Sequence, residues 1–326
     1  MHENKPYHPI FFIVWIAPAQ KVEDFLYDSC KVLENGVYIS GIEITGYEGP
    51  ATNTEFVIPN EINGKKVYSI ADIAFVSCEE AVGKLILPNT LRKIGSLAFT
   101  NCKGLSGPLN IPMNVTEIGS FAFDDCTGFS GELILPEGLE KIEEYAFAYC
   151  SGFSGQLKIP NTVTEIGSGA FTDCKGFTGE LILQKGLRKI EDSAFYGCSG
   201  FTGQLKIPNT VTKIDSNAFY DCKGFSGELI LSKGLSKIEE EVFKGCTGLG
   251  GHLVIPKGVT SIKKWAFYCC NGIQVIQCKA TTPPSICYNS FDTKFKFEAK
   301  VFVPKTSLER YKKDRVWRLF SLEGQK

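Results

Sequence analysis

The apolar residues of this chain recur at a fixed interval of 24 residues. Isoleucines keep this register from Ile70 to Ile286, and phenylalanines keep it from Phe75 to Phe291. Leucines that open short alternating segments follow the same step from Leu85 to Leu253. A single globular domain has no reason to repeat its core positions in this way. The pattern predicts stacked repeats, each of which is too small to bury a core alone.

Residues 128–150 illustrate one repeat, or rung, of this pattern. Gly128 and Gly131 allow a tight turn, and Glu132-Leu133-Ile134-Leu135-Pro136 alternates so that both leucines face inward. Pro136 ends the strand because proline has no N–H for a ladder hydrogen bond. The apolar residues beyond it predict a short strand or extended turn and then a single helical turn. We therefore predict a β-rich curved solenoid of about ten rungs, with one parallel strand per rung.

The sequence also repeats with a longer period of 48 residues, which spans two rungs. Residues 129–176 and 177–224 are nearly identical in sequence. The outward strand positions alternate between glutamate with isoleucine and glutamine with lysine. Neighbouring strands lie ~4.8 Å apart, so these side chains form two columns, which we call the strand face. Exposed isoleucines on a flat sheet are typical of a protein-binding strip. The residues predicted to contact a partner are Glu132, Ile134, Lys158, Glu180, Ile182, Lys206, Glu228 and Ile230.

The N-terminal residues depart from the repeat. The apolar run from Ile10 to Ala17 is too short to cross a bilayer, which takes ~20 helical residues. Together with Ala17-Pro18-Ala19 it predicts a cleaved signal peptide at residues 1–19. The alternative is an apolar strand or helix that packs over the first repeat. Asn35-Gly36 and Gly41 are turn signals between short alternating strands.

The C-terminal residues also depart from the repeat, as the cap of a solenoid core must. Val301 to Pro304 reads as a strand, and Thr306 with Glu309 predicts a capping box for a short helix. Trp317 and Phe320 are placed to close the last rung. Residues 31–320 are predicted to form one continuous domain. After the signal peptide, the chain is predicted to consist of an N-terminal cap at 20–69, repeats at 70–294 and a C-terminal cap at 295–326.

Units of the form Ile-Pro-x-x-Val-x-x-Ile-x-x-x-Ala-Phe-x-x-Cys resemble the BspA-like leucine-rich repeats of bacterial surface proteins. Ile159 to Cys174 matches throughout, and Ile58-Pro59 and Val303-Pro304 resemble the two ends of that family. The resemblance covers roughly residues 37–320. It implies a leucine-rich-repeat solenoid. Because known members include adhesins, it also implies binding or adhesion at a cell surface.

Nine of the 13 cysteines keep the 24-residue register, from Cys78 to Cys270. No pair has the spacing of a zinc site, and stacked side chains that point the same way are poorly placed for disulfides. They predict a ladder of small buried thiols. Cys278 and Cys287 lie outside the register, and the sequence leaves open whether they form a disulfide.

Composition excludes several classes of function. The 35 basic and 36 acidic residues give a net charge of −1, with no basic excess to bind nucleic acid. The three histidines, His2, His8 and His252, offer no arrangement of nucleophile, base and orienting group. We therefore predict no enzyme, cofactor, metal site or transmembrane segment.

Two functions remain. The first is a secreted or cell-surface protein that binds a protein or glycan of a host or another cell through the strand face. The second is a structural or spacer protein whose repeats set a length and bind nothing tightly.

Overall fold

The structure, a computed structural model, is a parallel β-solenoid of about 12 turns with little helix. It describes residues 20–34, 36–292 and 299–325. The predicted solenoid is therefore confirmed, with more turns than the ten predicted, because both caps contribute strands of their own. The predicted signal peptide at residues 1–19 lies outside the described residues. So does the predicted boundary between the repeats and the C-terminal cap, at residues 294–295.

The first side of each rung is the predicted strand. Its alternation holds, because Leu133 and Leu135 are buried while Ile134 between them is exposed. Pairing is narrow in the middle of the solenoid, where Asn110 with Ile134 and Lys206 with Ile230 form single bridges. Strands on this side are Glu55–Val57, Gly83–Ile86, Leu105–Ser106, Leu157–Lys158, Leu181–Ile182, Gly250–Ile255, Gly272–Cys278, Lys300–Pro304 and Ser321–Gln325.

The second side of each rung is another short parallel strand, at the segment for which the sequence allowed either a strand or an extended turn. Its isoleucine points into the core and its preceding residue points outward, as in Lys189–Ile190. The strands on this side are Lys65–Ile70, Lys93–Ile94, Glu117–Ile118, Lys141–Ile142, Glu165–Ile166, Lys189–Ile190, Lys213–Ile214, Lys237–Ile238, Ser261–Ile262 and Ser285–Ile286.

The third side, which we call the turn face, corrects the prediction of a single helical turn. Each rung makes consecutive turns here, and alternate N–H groups bond to the next rung rather than within their own. For example, the Phe123 N–H donates to the Ala146 carbonyl at 2.9 Å, whereas the Asp124 N–H donates back to Phe121 at 3.1 Å. Two positions per rung adopt a left-handed backbone, as at Tyr145 (φ 50°) and Tyr149 (φ 58°). A helical turn does not allow this alternation.

The core runs the length of the solenoid as stacked columns. The ten phenylalanines from Phe75 to Phe291 stack with ring centroids 5.0 to 5.6 Å apart. A second stack runs from Phe129 to Phe225. Each rung thus completes the burial of its neighbours, which is why the repeat is stable only as an array.

The cysteine column confirms the predicted thiol ladder for eight of its nine members, from Cys102 to Cys270. Each thiol donates a hydrogen bond to the carbonyl of the phenylalanine 27 residues earlier, as from Cys174 Sγ to Phe147 O at 3.0 Å. Cys78 differs, since it is only half-buried and its thiol lies 3.5 Å from Glu80 Oε2. The ladder therefore ties each rung to the one before it.

The N-terminal cap is an antiparallel hairpin that covers the first rung. Its strands Phe25–Glu34 and Val37–Tyr47 follow a short 3₁₀ helix at Val22–Asp24, and Glu61–Ile62 pairs with the first repeat. The predicted turn falls at Gly36 (φ 79°); Asn35 lies outside the described residues. Gly41 is not a turn. It lies inside the second strand, where the Tyr68 ring occupies the place that a side chain would take.

The C-terminal cap contains the predicted helix at Leu308–Lys313. The predicted capping box is wrong, because a 3₁₀ turn at Lys305–Ser307 makes Ser307 the N-cap residue, with no side-chain cap bond. A second 3₁₀ turn at Trp317–Leu319 leads into the final strand, Ser321–Gln325. Trp317 and Phe320 are buried as predicted, and the Trp317 indole donates to the Pro284 carbonyl at 2.8 Å.

Candidate functional site

The structure brings all eight predicted contact residues to one surface, because they occupy outward positions of the first strand side. Their exposure is uneven. Ile134 is 61% exposed and Ile230 is 44% exposed, whereas Ile182 is half-buried. Lys158 and Ile182 are direct partners in the parallel register. The strand face therefore presents aliphatic side chains among charged ones, with its most exposed isoleucine on the N-terminal half.

The lysine and glutamate side chains of the strand face make different kinds of contact. Lys158 pairs with Glu137, which follows the strand of the preceding rung, at 3.1 Å. The glutamates lie across glycines of the next rung instead. A Cβ atom placed on Gly203 would lie 3.1 Å from Glu180 Cγ. The same holds for Gly251 and Glu228. These glycines therefore have two roles. They adopt the left-handed backbone of the turn, and their lack of a side chain leaves room for the glutamate that covers it.

The second strand side has a surface of a different kind, which we call the ion-paired face. Lys93 pairs with Glu117 at 2.9 Å, and Lys141 pairs with Glu165 at 3.3 Å. Lys189 lies between two carboxylates, Glu165 and Glu191, and bonds to the second. The hydrogen bond from Lys189 lowers the pKa of Glu191. From Lys93 to Glu191 the lysines of this face are therefore paired with carboxylates of the chain.

Near the C-terminal end, the strand face deepens into a groove of about 410 Å³. Ile230 and Val254 lie side by side on neighbouring rungs and line it with Pro256. Three lysines, Lys233, Lys257 and Lys279, also line it, together with Glu228 and His252. We call this surface the lysine-rimmed groove.

The predicted contact residues did not include Lys233, Val254, Lys257 and Lys279, although the sequence carries a signal at Val254 and Lys257. The 48-residue alternation predicts lysine at position 254 and asparagine at position 257, as at Lys206 and Asn209. Valine and lysine stand there instead.

The turn face carries half-buried aromatic residues that contact one another. The rings of Phe121 and Tyr145 stack at 4.9 Å, and those of Tyr196 and Tyr220 stack at 4.7 Å. Lys264 Nζ lies 3.4 Å from the ring centroid of Trp265. These ring faces are therefore occupied within the chain, which leaves their edges exposed.

The cysteines are poor candidates for chemistry. Burial raises the pKa of the Cys174 thiol well above its ordinary value, and the same cause acts along the ladder. Cys278 and Cys287 are both free thiols, which answers the question that the sequence left open. Cys278 is buried and accepts a hydrogen bond from the Tyr311 hydroxyl at 3.2 Å, while Cys287 is exposed.

Within residues 20–34, 36–292 and 299–325, no three or more His, Cys, Asp or Glu side chains form a group that could hold a metal ion. The same residues include no helix with the length and apolar character needed to cross a membrane.

The stacked rungs and their columns define a leucine-rich-repeat solenoid. The sequence matches the family described as BspA type leucine rich repeat region, in six copies over residues 51–178 and 175–298. The chain belongs to this family.

Two crystal structures of bacterial leucine-rich repeat proteins are similar to this one. The protein from Bacteroides ovatus is 25% identical with a TM-score of 0.69, and the match covers 87% of this chain and 70% of that one. The T. pallidum protein is 28% identical with a TM-score of 0.50, and the match covers 71% of this chain and 91% of that one. No curated protein matches this sequence.

Proposed function

We propose that this chain is a non-catalytic binding protein whose strand face holds a protein or glycan on the surface of a host or another cell. One observation carries the proposal. From Lys93 to Glu191 the ion-paired face pairs its lysines with glutamates of the chain, whereas the strand face exposes Ile134 and Ile230 beside lysines. Exposed aliphatic groups among charges are what a partner can bury with a gain in free energy.

The near identity of residues 129–176 and 177–224 favours a second candidate, a spacer that sets a length. A spacer needs only rungs that stack, so changes on its strand face would alter no interaction. Binding and spacing therefore differ in whether an outward substitution has a measurable effect.

Export is part of the proposal, and it rests on the sequence from Ile10 to Ala19. Cleavage after Ala19 should give a mature chain that begins at Gln20. N-terminal sequencing of protein from a secretion-competent host tests this. Retention in the cytoplasm with Met1 intact would contradict export.

The test of the strand face begins with purified residues 20–326 as bait for extracellular-matrix and bacterial-surface material. With a captured partner, Ile134→Asp should weaken binding by about 1–3 kcal/mol, because apolar burial is lost and a charge is desolvated. Stability should change by less than about 0.5 kcal/mol, since the side chain points into solvent.

Val76→Asp is the matched control, because Val76 is an aliphatic residue 43% exposed on the turn face. Binding should be unchanged in this variant. Equal affinity of wild type, Ile134→Asp and Val76→Asp would move the contact surface away from the strand face.

A further inference from the structure

We propose that the lysine-rimmed groove binds an extended acidic peptide segment that carries aliphatic residues. The inference rests on the proposed function, since the groove is part of the strand face. It specifies where on the strand face the partner binds and to which chemical class the partner belongs.

The apolar part of the groove exists because the repeat pattern is broken there. In the preceding rungs, isoleucine and lysine alternate, so each aliphatic side chain has lysines as its neighbours: Ile134, Lys158, Ile182, Lys206 and Ile230. Val254 replaces the next lysine. Two aliphatic side chains, 44% and 40% exposed, therefore lie together at Ile230 and Val254, and Pro256 extends the apolar lining. A partner gains most by burying such a contiguous apolar surface.

The charges around this apolar surface favour an anionic partner. Lys233 and Lys257 occupy equivalent positions of neighbouring rungs, whereas the three rungs before them carry Asn161, Lys185 and Asn209 there. Lys279 adds a third ammonium group, and Glu228 is the one acidic residue in the lining. None of the three lysines forms an ion pair with a carboxylate of the described residues, in contrast to Lys158 with Glu137. Carboxylates of a partner can therefore form ion pairs with these lysines.

A peptide fits this combination better than a glycan does. The side chains that form the apolar surface are Ile230, Val254 and Pro256, and no aromatic side chain lines the groove. Sugar rings stack on aromatic faces, whereas leucine or isoleucine side chains bury against aliphatic ones. A volume of about 410 Å³ accommodates side chains of an extended chain.

The experiment uses fluorescence anisotropy with a labelled peptide of sequence Asp-Glu-Leu-Leu-Asp-Glu. The variant is Val254→Lys combined with Lys257→Asn, which restores the residues that stand two rungs earlier at Lys206 and Asn209. This variant keeps the net charge and places residues that the same repeat already accommodates. We expect its affinity for the peptide to fall by about tenfold or more, because the apolar surface is interrupted. Val76→Asp on the turn face, outside the strand face, should leave peptide affinity unchanged.

Three results would overturn the inference. The first is equal peptide affinity for wild type and the double variant, including no measurable binding by either. The second is equal binding of a peptide with serine in place of leucine, which would reduce the effect to charge alone. The third is binding of a sialylated oligosaccharide, but not of the peptide, at the same groove. If partner capture still depends on Ile134 in any of these cases, the proposed function stands while the groove inference fails.

Discussion

The strand face and the ion-paired face are built by the same rungs, share one core and differ in what their outward residues contact. On the ion-paired face, lysine and glutamate alternate from Lys93 to Lys189 and pair within a rung or with the next rung, as at Lys141 with Glu143 and Glu165. On the strand face, glutamates cover glycines, and Ile134 and Ile230 remain exposed. A face whose charges are matched within the chain contributes to stability. A face that is left unmatched is available to a partner.

This contrast predicts the largest change in stability on the ion-paired face. Lys189→Met keeps the aliphatic stem but leaves Glu165 and Glu191 without the ammonium group between them. We expect the free energy of unfolding at pH 7 to fall by about 1–2 kcal/mol, since these side chains are partly buried. Lys206→Met on the strand face should cost less than about 0.5 kcal/mol. Urea denaturation of both variants measures the difference, and equal losses would remove the contrast.

The same pair gives a dependence on pH. Lys189 lowers the pKa of Glu191 in the folded state. The stabilisation is therefore complete above the ordinary glutamate pKa of 4.5 and is lost as pH falls through the lower folded value. The difference between wild type and Lys189→Met should accordingly shrink in acid.

The second prediction concerns the thiol ladder in the core that both faces share. Cys174→Ala removes the hydrogen bond to the Phe147 carbonyl and leaves a small cavity. The loss should be about 1 kcal/mol, with binding by the strand face unchanged.

A thiol reagent tests the ladder in the native protein. Cys287 is exposed and should react first, whereas the eight buried thiols of the ladder should react only on unfolding, because burial keeps them protonated. Rapid labelling of the ladder in the native state would contradict its position in the core.

The sequence predicted the inward positions that recur in every rung, but not the backbone conformation of the turn face. Ile70 to Ile286 and Phe75 to Phe291 are in register because each rung supplies the same inward positions. The turn face was not predictable in this way. Its left-handed positions hold residues such as Ile73 and Leu97 rather than glycine alone. Local preference disfavours this backbone for aliphatic residues, so hydrogen bonds to the next rung must impose it.

The candidate site shows the same division. Ile134 and Ile182 occupy equivalent positions in the sequence, yet the first is exposed and the second is half-buried. Their neighbours differ, since Asn110 is the register partner of Ile134 and Lys158 is that of Ile182. The break of alternation at Val254 and Lys257 was readable in the sequence. That the break forms a groove required the structure.

The smallest expected change in stability concerns Asp124 on the turn face. It distinguishes an unpaired charge that is partly buried from unpaired charges that are in water. Burial raises the pKa of this carboxyl from 3.8 to about 6, and its Oδ1 has no hydrogen-bond partner among the described residues. The lysines of the groove are unmatched but remain in water, so they cost little. Asp124 is half-buried, and its charge opposes folding. Between about pH 4 and 6 the folded state binds the proton more tightly than the unfolded state, so stability falls as pH rises through this window.

Asp124→Asn should therefore raise the free energy of unfolding at pH 7, by at most about 1 kcal/mol because solvent screens a half-exposed group. At about pH 3 both states of the wild type are protonated, and the gain should vanish. Thermal denaturation of the two proteins at both pH values measures this, with Asp28→Asn, at an exposed carboxylate of the N-terminal hairpin, as the control. A gain of the same size at pH 3 and pH 7 would show that the amide acts by a new contact, and that the charge of Asp124 carries no cost. Strand-face binding should be equal in all three proteins, since an unmatched charge matters to a partner only where the partner can reach it.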